Sequence, residues 1–137
     1  MQQTPRDVLG RYRRAILDKN ADALADLYAD DAVHEIPFRF PGMPARYEGR
    51  EQVRAAYRAI WGASPVRPEE IRDVVTHETA DPEVIVAEQV VAGLVPATGD
   101  SFAVPGVLVL RVRDGLITHV RDYMDALAAT QALDRTA

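Results

Sequence analysis

Apolar residues change their spacing near Pro68, from the three-and-four recurrence of helices to the alternation of strands, and that switch restricts the chain to an α+β arrangement. Helical stripes come first. Thr4 offers a capping hydroxyl, Pro5 fits the first helical position and Asp7 places an acid in the first turn, so a helix is expected from Pro5 to Asp18. Its buried face is Val8, Leu9, Tyr12 and Ile16. Asn20 can cap a second, shorter helix carrying Leu24, Leu27 and Tyr28, and a third, from about Glu51 to Trp61, buries Val53, Tyr57, Ile60 and Trp61.

Beyond Pro68 the alternating segments lie near 70–79, 84–93, 101–113 and 116–124. Asp81-Pro82, Thr98-Gly99-Asp100 and Asp114-Gly115 separate them, the last being a strong hairpin dipeptide because both residues tolerate positive φ. The pattern predicts an antiparallel meander with a short helical tail from Ala126 to Leu133. Some strands are apolar on both faces: Val84, Val86 and Val90 lie on one side, Ile85 and Val91 on the other. Helices cover one face, and the other is expected to pair with a second copy as a homodimer through the sheet.

Between the second and third helices lies Tyr28-Ala29-Asp30-Asp31-Ala32-Val33-His34-Glu35-Ile36-Pro37. Alternation there puts His34, Ile36, Phe38 and Phe40 on one side, an imidazole in line with aromatic and aliphatic groups, as in the wall of a small-molecule pocket. Pro37, Pro41, Gly42 and Pro44 then break the chain into a loop ending at Glu48-Gly49.

With 137 residues the chain is the length of one domain, with only the ends, 1–3 and 134–137, expected to be loose. The absence of cysteine removes thiol nucleophiles and disulfides. The longest apolar run, Phe102 to Leu110, is interrupted by Pro105 and Gly106, so no membrane segment is expected, and a start without an apolar signal core makes a cytoplasmic location the expectation. A net charge of −5 speaks against nucleic-acid binding. Arg50, Arg54 and Arg58 recur at every fourth position as an exposed helix face. His77 and His119 belong to no ligand constellation, and neither a metal nor a cofactor is expected.

Three helices, a strand leading out of Ala29-Asp30-Asp31-Ala32, and a meander ending in Arg121-Asp122-Tyr123-Met124-Asp125 resemble the nuclear transport factor 2-like superfamily, in its SnoaL-like and ketosteroid-isomerase-like branch. Tyr47-Glu48-Gly49-Arg50 and Asp114-Gly115-Leu116-Ile117 add to the likeness. The resemblance implies a cone-shaped α+β barrel, with three N-terminal helices packed on a curved, mostly antiparallel sheet, and a cavity for a small apolar organic ligand.

Tyr12 and Tyr57 fall where ketosteroid isomerases place pocket tyrosines. The aspartate base and protonated aspartate donor of those enzymes, a pair well described in general terms, are replaced by Ile36 and by Val107 or Leu108. Limonene epoxide hydrolases look similar at Asp122, but their arginine and second aspartate on the middle strand are matched here by Gln89 and Val91. SnoaL-like polyketide cyclases rely on a last-strand aspartate as acid and base, and Asp122 fits that role.

Val120, Asp122 and Met124 share one strand face, which the resemblance turns into the cone. Loss of hydration disfavours the carboxylate form, which suits a group that takes a proton from carbon and returns it to oxygen. His34 assists, or bonds locally as a core histidine. Tyr12 and Tyr57 supply phenolic donors to an oxyanion, or simply fill core. Ile36, Phe38, Phe40, Trp61, Gln89, Val91, Val120 and Met124 are the expected lining. The leading expectation is cofactor-independent proton transfer on an apolar carbonyl compound such as a polyketide or terpenoid intermediate. Its alternatives are a binding protein without chemistry and an epoxide hydrolase.

Overall fold

A computed structural model describes residues 3–134. In chain order the elements are α1 (Pro5–Asp18), α2 (Ala21–Ala25), β1 (Tyr28–Glu35), β2 (Arg46–Glu48), α3 (Arg50–Ala63), β3 (Arg67–Glu78), β4 (Val84–Val95), β5 (Asp100–Arg113), β6 (Leu116–Met124) and α4 (Ala126–Asp134). The α+β class is as expected. Of the ends expected to be loose, residues 1, 2 and 135–137 lie outside the described range, whereas Gln3 accepts a hydrogen bond from Arg11 at 2.8 Å.

Helix α1 starts with a full capping box: the Thr4 hydroxyl accepts from the Asp7 backbone N–H, and the Asp7 carboxylate accepts from the Thr4 N–H. Asn20 caps α2 through the Ala23 N–H. The second helix ends at Ala25, however, and Tyr28 opens β1 instead of continuing it. Its backbone pairs with Ile117 of β6, so long-range sheet pairing overrides the local helical spacing.

The sheet order is β2-β1-β6-β5-β4-β3. All neighbours are antiparallel except β1 and β6, which run parallel and set His34 opposite Val120. Short β2 was not legible as a strand, because three residues leave no period to read. Register breaks between Tyr28 and Val33, Pro68 and Glu70, Arg72 and Val75, and Arg111 and Val112 bend the strands and strengthen their twist. At Gly93 the neighbouring strand comes very close, and a Cβ would stand 2.0 Å from the Arg67 carbonyl oxygen.

Helices α1 and α3 pack on the face formed by Ile85, Ala87, Leu108, Leu110 and Val120, each 3% exposed or less. Val8, Leu9 and Tyr12 of α1 and Val53 of α3 complete the core. Arg54 and Arg58, on the outer side of α3, bind Asp22 at 2.8 and 2.6 Å, and Arg54 also reaches Asp26 at 3.1 Å. The arginine row thus clamps α3 to α2. Among the described residues no helix is long and apolar enough to cross a membrane.

Candidate active site

Between α1, α3, α4 and the inner sheet face lies a cavity of about 470 Å³. Asp122 reaches it from β6, because residues 120, 122 and 124 share the inner face and Asp122 stands opposite Leu108. Tyr12 arrives from α1 and Tyr57 from α3. Phe40, Trp61, Gln89, Val91 and Met124 line the walls as well, in agreement with the alternation and helical stripes. Among the lining residues Asp122 is the one carboxylate, and its side chain retains 17% exposure.

Four expected wall residues lie elsewhere. His34 is fully buried behind Tyr57 and Asp122, and acts on the cavity only through them. Val120 is sealed in the core at 0% exposure. Ile36, 3% exposed, packs into the core and borders a separate hollow beneath residues 36–45. Phe38 is 61% exposed and stacks edge-on against Tyr123 on the outer face of the sheet. The alternation of β1 does not reach Phe38: the strand ends at Glu35, Pro37 turns the chain, and parity no longer predicts direction.

His34 is held from two sides. The Tyr28 hydroxyl lies 2.7 Å from Nδ1, while Nε2 has the Tyr57 hydroxyl at 3.2 Å and Asp122 Oδ2 at 3.5 Å. A lone pair on Nε2 would face the Asp122 oxygen, so the favoured tautomer carries its proton there and accepts the Tyr28 O–H at Nδ1. Tyr12 lies close enough to Tyr28 for the two phenols to influence each other's ionisation. A chain of hydrogen-bonding groups therefore runs from Tyr28 through His34 towards the carboxylate.

Burial raises the pKa of Tyr12, Tyr28 and Tyr57 well above that of a free phenol, and the nearby Asp122 charge adds to the rise in each. All three remain neutral O–H donors at ordinary pH. Tyr28 falls in β1 and not on the buried side of the second helix; the strand holds a single β-branched residue, Val33, so local composition gives little sign of where it starts. Arg13 is a further polar group near the site that no motif or spacing marks. Its Nε donates to Gln89 Oε1 at 3.0 Å, and its Nη2 is buried without a hydrogen-bond partner.

The other histidines point outward. His77 pairs with Glu88 at 2.6 Å and His119 with Glu35 at 2.8 Å. Among the described residues no cluster of three or more histidine, aspartate or glutamate side chains could hold a metal ion.

Residues 9–120 match the SnoaL-like domain family. The chain belongs to the SnoaL-like family. A PhzA/B-like relative from Pseudomonas aeruginosa, itself uncharacterized, is 33% identical over 128 residues, covering 93% of the SnoaL-like chain and 89% of the relative. A Bacillus subtilis structure named as a candidate isomerase superposes with a TM-score of 0.79 at 26% identity, over 93% of this chain and 90% of its own. A Pseudomonas putida structure named as a candidate polyketide cyclase gives 0.73 at 21% identity, over 96% and 98%, a likeness of fold. The cone with its helix-covered cavity is thus the SnoaL-like architecture, which in itself hosts several chemistries.

Proposed function

We propose that this SnoaL-like protein catalyses cofactor-independent proton transfer on an apolar carbonyl compound, a cyclisation or isomerisation of the kind polyketide and terpenoid intermediates undergo. The observation that carries the reading is the Asp122 carboxylate in an apolar cavity beside the Tyr12 and Tyr57 hydroxyls, with His34 Nε2 3.5 Å behind it.

Asp122 takes a proton from the carbon next to a carbonyl. The electron pair moves onto the carbonyl oxygen, and the tyrosine hydroxyls donate to that enolate. In a cyclisation the enolate carbon then attacks a second carbonyl, and the proton on Asp122 passes to the new alkoxide. In an isomerisation it returns to carbon. His34 orients the carboxylate and offers it the Nε2 proton as a hydrogen bond.

The test is deuterium exchange at the acidic carbon of a panel of apolar β-keto esters and 1,3-diketones, each with and without a terminal carboxylate, followed by NMR. Wild-type protein should accelerate exchange, and Asp122→Asn should slow it by about 100-fold or more. An unchanged rate in the variant, or no acceleration across the panel, defeats the proposal. Binding without chemistry is the second reading, favoured by apolar Ile36 and Val91 where related enzymes hold acids. Epoxide hydrolysis is weaker, since Arg13 already occupies the Gln89 carbonyl oxygen that would have to accept a proton from water.

The working unit in this proposal is a homodimer. On the outer sheet face Val86 pairs with Val109 and Val107 with Tyr123, and Phe38 at 61% exposure lies over Tyr123. An apolar face of that kind favours a second copy. Phe38→Asp should shift light-scattering mass from dimer to monomer; a monomeric wild type removes this part of the reading.

A further inference from the structure

Lys19 occupies a backbone position that disfavours it. It ends α1 at φ 50° and ψ 41°, the left-handed cap that glycine or asparagine fills with less strain. It is the single lysine of the chain. Its side chain nonetheless lines the cavity, where its ammonium donates to the Ser64 carbonyl at 3.1 Å just beyond α3.

An ammonium has three N–H donors, so two remain. Among the described residues Lys19 has no ion pair, whereas Arg54, Arg58, Arg111 and Arg113 each bind carboxylates. Partial burial takes hydration from the ammonium and lowers its pKa, a cost that a bound anion would offset.

Position supplies the rest. Tyr12, Ile16 and Lys19 follow one another along the cavity stripe of α1 at intervals of four and three. Seven residues of helix place Lys19 about 10 Å along the axis from Tyr12. The wall between is apolar, with Ile16, Ile60, Trp61, Val66 and Phe102. The cavity therefore has one cation at the Lys19 end and one carboxylate, Asp122, beside Tyr12.

We infer that the ligand is an amphipathic acid whose carboxylate pairs with Lys19 and whose apolar body directs its other end, about 10 Å away, to Asp122 and the tyrosines. The orientation rests on the proton-transfer reading, but the ion pair does not. Repulsion from Asp122 disfavours the reversed pose, so Lys19 would select both the substrate class and its direction.

Trp61, the one tryptophan, lines the cavity and reports occupancy by its emission. Octanoate and octanamide, equal in length and differing in charge, are titrated into the full chain at neutral pH. Wild-type protein should bind the acid at least about tenfold more tightly than the amide. Lys19→Met should bind both alike, near the wild-type affinity for octanamide. Lys19→Asn removes the ammonium while suiting the left-handed backbone, and should lose the preference in the same way even if the methionine variant folds poorly. Equal wild-type affinities, no binding of either probe, or a preference that survives in Lys19→Asn overturns the inference. Turnover plays no part in this readout, so an acid preference alongside unchanged exchange in Asp122→Asn would defeat the proton-transfer reading alone.

Discussion

His34 Nε2 lies 3.5 Å from Asp122 Oδ2, although the two residues come from opposite ends of the chain. Parallel pairing of β1 with β6 brings them together by placing His34 opposite Val120, two positions before the acid on the same face. The imidazole is wholly buried and the carboxyl partly open, so in the proposed reaction the carboxyl would meet the ligand and the imidazole would hold that carboxyl in place.

Tyr57 is the hydroxyl placed to serve the cavity as well as the imidazole. Tyr57→Phe should lower the exchange rate by about 100-fold or more while the unfolding midpoint moves little, as expected of one lost oxyanion donor. An unchanged rate would mean that the phenol only fills space.

Tyr28→Phe should act mainly on stability. It removes the 2.7 Å partner of His34 Nδ1 and leaves a fully buried nitrogen without a donor, a loss of about 1–3 kcal/mol in urea unfolding. No loss of stability would mean that a water replaces the hydroxyl or that the tautomer is reversed.

Alkaline pH should destabilise the fold through the same phenols. Burial raises the folded pKa of Tyr12, Tyr28 and Tyr57, so the folded chain binds more protons than the unfolded chain once pH exceeds the free phenol value of about 10. Their contribution is complete below that value and is lost as pH climbs from it towards the folded values. Phenolate absorbance from these residues should rise together with the loss of far-ultraviolet circular dichroism. Smooth titration near pH 10 with the fold intact would contradict the burial argument.

Gly93→Ala tests the close approach of β3 to β4. Its Cβ would overlap the Arg67 carbonyl at 2.0 Å, so the strands must separate, at a cost of about 2–3 kcal/mol. Wild-type stability in this variant would indicate a looser edge strand than the fold shows.

The sequence was most informative where structure is local. Thr4, Pro5 and Asp7 fix the start of α1, Asp114-Gly115 fixes the β5–β6 turn, and alternation places Asp122 and Met124 on one strand face, which the family resemblance turned towards the cavity. It misled where one element was read past its end. Tyr28 continued a helical stripe in sequence but entered the sheet, and Phe38 continued a strand parity that Pro37 had already broken.

By itself, then, the sequence determined the α+β division, most element limits and the strand face that Asp122 shares with Met124, because capping, turn chemistry and periodicity act within a few residues. Only the tertiary structure decided that His34 stands behind Asp122, that Tyr28 supports it, and that Lys19 lines the same cavity as Asp122. Those relationships arise from strand pairing and helix packing between distant segments, whose geometry no local spacing encodes.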